Sequence, residues 1–177
     1  MKCSSYFGGS KMESLTLNSH SPDQTKLLGS YLGRLAQKTD VFILVGELGT
    51  GKTCLVQGIA SGLDVKEYAF SPSFVILREY HGRLPLYHID FYRLDHIEEI
   101  IDLGLEEYLY GDGVCVVEWA EKGLHVIPQD NLLITIHYVP ASKTGRSLCL
   151  RPQGERYHGL IEQLKKIEGI MALNRKC

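Results

Sequence analysis

The segment Gly46-Glu47-Leu48-Gly49-Thr50-Gly51-Lys52-Thr53 fits the phosphate-loop pattern G-x-x-x-x-G-K-[ST] at every fixed position. Its glycines let the backbone turn its N–H groups inward around phosphate oxygens, where a Cβ would collide. Lys52 supplies a mobile cation for the β- and γ-phosphates, and Thr53 a hydroxyl for Mg²⁺. Glu47, Leu48, Gly49, Thr50 and Gly51 form the rest of the cradle. The chemistry implied is binding of a nucleoside triphosphate.

A phosphate loop works with an acid at the C-terminal end of a neighbouring strand, which completes the Mg²⁺ shell directly or through water. Glu118 follows the unbroken apolar run 114–117, the pattern of a central strand, and is assigned to the metal side together with Thr53. Asp90 follows Tyr87-His88-Ile89 and is assigned to the switch or to positioning of the attacking water. Lys52, Asp90 and Glu118 are thus the candidate catalytic residues. Ser71-Pro72-Ser73-Phe74 lies between the loop and Asp90, where related folds keep the segment that senses the γ-phosphate. His88 reads as a hydrogen-bonded sheet residue, Arg93 as a partner either of Asp90 or of a phosphate, and Trp119 as either core or site wall.

These residues need a sheet with helices on both sides. Residues 41–45 read as a buried strand and 54–60 as a helix, the two flanks that a phosphate loop requires. Ser21-Pro22 is a helix start, with a capping hydroxyl and proline at the first helical position, and Leu27, Leu28, Tyr31, Leu32 and Leu35 carry that helix to about residue 37. It ends just before the loop strand, so its beginning or the strand 14–17 would border the base. Residues 75–80 and 84–91 form two strands across the turn His81-Gly82-Arg83, which makes the sheet mixed. Residues 94–103 and 105–109 are short helices, 114–119 a buried strand, 131–138 and 147–150 two strands joined by the loop 140–146, and 157–167 a closing helix. The fold class expected is α/β, a phosphate-loop NTPase-like three-layer sandwich. Its domain covers residues 14–167, with a loose extension at 1–13 and a tail at 168–177.

The composition narrows the class further. At 177 residues the chain makes about one domain; hydrophobic residues at 44 % and charged residues at 23 % suit a soluble protein, and no apolar run reaches the ~20 residues of a membrane span. A net charge of −2 gives no broad attraction to a nucleic-acid backbone. The five cysteines are scattered and never spaced C-x-x-C, which argues against a disulfide frame or zinc knuckle and for a reducing cytoplasm. Residues 1–11 lack the apolar middle of an export signal.

Taken in order, Gly46 to Thr53, Ser71-Pro72-Ser73-Phe74, His88-Ile89-Asp90-Phe91-Tyr92-Arg93-Leu94 and Glu118-Trp119 closely resemble the motifs of the bacterial TsaE (YjeE) family. These are small ATPases of threonylcarbamoyladenosine tRNA modification, and the likeness covers about residues 14–167. Ser73 departs from it: the family usually has threonine there, so the hydroxyl is kept and a methyl lost. The resemblance implies ATP and Mg²⁺, with Thr53 and Glu118 on the metal, and Asp90 as a functional acid. It also implies nucleotide contacts at Ser21, Pro22 and Arg146. The implied partner is a threonylcarbamoyl-transferase complex of TsaD and TsaB type proteins, with tRNA met only through that complex and no membrane involved. The competing readings are a small-molecule phosphate-loop kinase, for which Lys143, Arg146, Arg151 and Arg156 would have to form a lid, and a nucleotide-dependent switch without meaningful hydrolysis.

Overall fold

Strand β2, Val41–Val45, shows why both faces of the sheet are covered: Phe42 and Leu44 point into one apolar cluster, Val41 and Ile43 into another. Strand β5, Val114–Glu118, repeats the alternation, with Val114 and Val116 on the first face and Cys115 and Val117 on the second. A strand apolar at every position is stable only between two layers. In the computed structural model, which describes residues 14–140, 142–167 and Ile170, those layers are helical. Helices α1 (Pro22–Leu35), α2 (Lys52–Gly62) and α5 (Glu155–Lys165) cover the first face, and α3 (Ile97–Asp102), α4 (Glu106–Leu109) and a 3-10 turn, Ala120–Lys122, the second.

The remaining strands are β1 (Leu15–Ser19), β3 (Leu77–Tyr80), β4 (Leu86–Asp90), β6 (Asn131–Tyr138) and β7 (Arg146–Gln153). The seven lie in the order β1-β7-β6-β2-β5-β4-β3. The four central strands β6, β2, β5 and β4 run parallel, and β3, β7 and β1 pair antiparallel outside them. The mixed three-layer sandwich expected from the sequence is what forms. Because β2, β5 and β4 run the same way, the loop after Val45, Glu118 and Asp90 all emerge at one edge, the edge where ligands meet open α/β sheets.

Helix α2 is held against α1 at backbone contact. A Cβ on Gly29 would come within 2.3 Å of the Leu55 carbonyl oxygen, and one on Gly33 within 2.2 Å of that of Ile59. This glycine seam fixes the helix that carries the phosphate loop.

Several boundaries differ from the sequence reading. The strand expected from residue 75 begins at Leu77, because the Pro72 carbonyl accepts from the amides of Val75 and Ile76 and Ile76 has a φ of +67°. The strand expected at 147–150 extends to Arg146–Gln153, pairing along its whole length with β6, so Arg146 opens a strand instead of closing a loop. The helix expected at 94–103 is only Ile97–Asp102, and the last helix starts at Glu155. Cys54 and Cys115 are free thiols. The extension at 1–13 and the tail at 168–177, apart from Ile170, lie outside the described residues.

Candidate functional site

Of the candidate residues, Leu48, Gly49, Gly51, Lys52, Thr53, Asp90 and Glu118 line one cleft of about 360 Å³, while Ser21, Pro22, Glu47, Thr50 and Arg146 lie outside its lining. Gly49 and Gly51 have φ of +76° and +101°, the left-handed region that glycine tolerates. Gly51 is the N-cap of α2 and has no side chain to cap it. The first amides of that helix, which have no intrahelical acceptor, therefore open on the cleft with the positive end of the helix dipole.

Lys52 is 5 % exposed. Its Nζ donates to the carbonyl oxygens of Gly46 (2.6 Å) and Glu47 (3.1 Å) and lies 3.8 Å from the centre of the Trp119 ring. Burial pulls the ammonium below its ordinary pKa, while the charges of Glu118, Glu121 and Asp90 pull it back up. The cation that the sequence assigned to the phosphates is thus buried, and its hydrogen-bond acceptors are neutral carbonyls. Neither of those bonds is to a carboxylate, so a phosphate oxygen could take the place of a neutral carbonyl at Nζ and form a stronger, charge-assisted bond. The loop, the uncapped helix and the lysine thus fit a polyphosphate.

Of the two residues that the sequence assigned to a metal, Thr53 Oγ1 donates to both oxygens of Glu118, at 2.8 and 3.1 Å. A hydroxyl and a carboxylate in contact beside a phosphate cradle are a donor set suited to Mg²⁺, which prefers few protein oxygens and shares its shell with phosphate and water. Asp90 lies opposite Glu118 in the β4–β5 register. Its carboxylate accepts from Ser71 Oγ (2.7 Å) and from the Tyr92 amide (2.9 Å), and burial raises its pKa against the pull of those two bonds. The segment 71–74 is thereby tied to Asp90 itself. Phe74, 82 % exposed, and the Arg93 guanidinium stack at 3.9 Å. Arg93 is accounted for by that ring, where the sequence offered Asp90 or a phosphate.

The model of the family described as "Threonylcarbamoyl adenosine biosynthesis protein TsaE" matches residues 19–148, a span that contains every residue placed above. The chain belongs to the TsaE family. A Treponema pallidum protein named tRNA threonylcarbamoyladenosine biosynthesis protein TsaE is 44 % identical over 118 residues, 67 % of this chain and 87 % of its own length. The Bacillus subtilis protein of the same name is 39 % identical over 160 residues, covering 90 % and 99 %. Among solved structures, Bacillus subtilis YdiB superposes with a TM-score of 0.78 at 35 % identity over 89 % of this chain and 98 % of its own.

Other residues singled out through the likeness to TsaE have structural partners. Ser21 caps α1, its hydroxyl accepting from the Gln24 amide, and Pro22 is in the first turn of that helix. Cys54 Sγ lies 3.3 Å from the Pro22 carbonyl, which brings that turn beside the start of α2. Arg146 grips the phosphate loop from behind: its Nε donates to the Thr50 carbonyl (2.9 Å) and its Nη2 to that of Gly49 (3.4 Å). Tyr138 stacks under that guanidinium at 4.4 Å and donates its hydroxyl to the Leu48 carbonyl at 2.7 Å. Trp119 faces the cleft, with φ of +57°, between Lys52 and the Tyr92 ring 4.9 Å away. The sequence reading missed Tyr138 and the contact of His88 with Glu118, which join residues distant in the chain, and gave Tyr92 no role of its own. The signal open to it was the aromatic and polar character of residues at the same strand ends as Glu118 and Asp90.

Proposed function

We propose that this protein is an ATPase that serves threonylcarbamoyladenosine modification of tRNA, working on a threonylcarbamoyl-transferase complex of TsaD and TsaB type proteins. The observation that carries the nucleotide reading is the buried Lys52 ammonium, bonded only to carbonyls at the mouth of an uncapped helix. Lys52 and the loop amides hold the phosphates, and Thr53 and Glu118 would hold Mg²⁺, which neutralises charge on the phosphoryl oxygens. Asp90, fixed by Ser71 and Tyr92, orients the attacking water or reports the state of the site to the exposed 71–76 turn. Trp119 walls the cleft.

Two considerations favour this over a small-molecule kinase. The relatives named above carry a biosynthetic role in tRNA modification in their names. The basic residues of the late hairpin and of α5 also make a poor lid: Arg146 is bonded to the phosphate loop, and Arg156 pairs with Asp40 at 2.6 Å. Calorimetric titration with ATP and Mg²⁺, followed by assay of phosphate release with the purified complex present or absent, tests the reading. ATP binding and stimulated release support it. Phosphorylation of a small acceptor without phosphate release would replace it with the kinase.

A further inference from the structure

His88 lies on β4 two residues before Asp90 and is fully buried. Its Nε2 is 2.9 Å from Glu118 Oε1, the same oxygen that accepts from Thr53 at 2.8 Å. A carboxylate oxygen can only accept, so Nε2 carries the proton and donates. In the neutral ring Nδ1 is then a bare acceptor, and it is buried without a hydrogen-bond partner among the described residues. A native protein seldom leaves such an atom orphaned, and a leucine of similar volume would avoid the loss. Packing therefore does not explain a histidine here, whereas its contact with the carboxylate does.

We infer that His88 is a positioning residue for the proposed metal site: its Nε2–H anchors Oε1 of Glu118, so that the carboxylate is held with both oxygens within reach of the Thr53 hydroxyl. This inference rests on the ATP and Mg²⁺ reading above. The three side chains come from separate elements, His88 from β4, Glu118 from β5 and Thr53 from the first turn of α2. The histidine thereby links the strand that ends in Asp90 to the metal side of the site. Outer partners of this kind set ligand orientation, and their loss costs roughly 10- to 100-fold in metal affinity.

The test is calorimetric titration of the full chain with ATP, in EDTA and then over a range of Mg²⁺ concentrations, for wild type, His88→Leu and His88→Gln. In EDTA the three should bind ATP alike, because Lys52 and the loop amides are untouched. With Mg²⁺, His88→Leu should need roughly 10- to 100-fold more metal to reach the same gain in affinity. His88→Gln, whose amide can donate to the same oxygen, should stay within about threefold of wild type, a rescue that a packing role would not produce. If His88→Leu does not fold, His88→Asn, polar but too short to reach Glu118, takes its place. In a Glu118→Ala background the His88 substitution should add nothing further. An unchanged Mg²⁺ requirement, or equal additive losses in that background, overturns the inference. Failure of wild type to bind ATP at all would overturn the nucleotide reading and this inference with it, and so is distinguishable from either.

Discussion

Lys52 carries a charge that folding places out of water, and two predictions at the scale of single residues follow from such buried charges. Its folded pKa is lowered, so the folded state holds fewer protons than the unfolded one between that value and 10.5, and stability rises with pH across that window. Below it, the charged and buried ammonium is a cost. Lys52→Met, which keeps the stem against Trp119, should therefore hold or raise the thermal midpoint at neutral pH. It should also weaken ATP binding roughly ten- to hundred-fold, the value of charge-assisted bonds. Calorimetry and thermal melts on the same sample check both; unchanged affinity would remove the phosphate loop from the proposal. Asp90 has the opposite sign. Its folded pKa is raised above 3.8, so its contribution is most favourable in acid and is lost as pH rises through the folded value. The midpoint of Asp90→Asn minus that of wild type should grow from pH 4 to pH 7, while turnover falls. A difference that shrinks with pH would mean that the carboxylate is stabilised where it lies.

Among the elements, the β6–β7 hairpin is the one whose role in the site reaches beyond its place in the sheet. Tyr138 and Arg146 face each other in the β6–β7 register and between them hold the carbonyls of Leu48, Gly49 and Thr50. With those carbonyls tied back, the loop amides are free to point into the cleft. Arg146→Met should speed hydrogen exchange at residues 47–51 and weaken ATP roughly three- to tenfold, as expected for the loss of one or two ordinary hydrogen bonds. If Arg146 contacts the nucleotide directly, as the family likeness implied, affinity will fall without faster exchange in the free protein. On the other side of the loop, the glycine seam between α1 and α2 leaves the helix no room to shift.

For the whole molecule, the balance of parts predicts dependence on a partner. The chain has a net charge of −2, no helix among the described residues long and apolar enough to cross a membrane, and an exposed turn bearing Phe74 and Val75 beside Asp90. Its Arg93 is stacked on Phe74 and not aimed into the cleft. An NTPase site without an arginine on the transferred phosphoryl is slow, and such an arginine is often supplied by a partner. Phosphate release should therefore be slow for the protein alone and rise by about an order of magnitude or more with the threonylcarbamoyl-transferase complex. The protein alone should not retain tRNA at physiological salt. Fast hydrolysis indifferent to the complex would favour an independent enzyme.

The sequence by itself determined the parts whose chemistry is local. Gly46 to Thr53 is legible because a phosphate cradle demands particular residues a few positions apart, and β2 and β5 because strands buried on both faces must be apolar throughout. Ser21-Pro22 marked the start of α1 for the same local reason. Glu118 could be read as a strand-end acid because it closes the apolar run 114–117, and Asp90 because it closes the strand pattern that ends Tyr87-His88-Ile89. Tertiary structure alone decided what depends on strand order: that β4 and β5 are neighbours, so that His88 reaches Glu118 and Asp90 faces it. It decided also that Ser71 bonds Asp90, that β7 brings Arg146 behind the loop, and that Lys52 is buried against Trp119. Those contacts join residues up to 96 positions apart, and no local propensity encodes such a pairing because its energy exists only once the sheet has assembled.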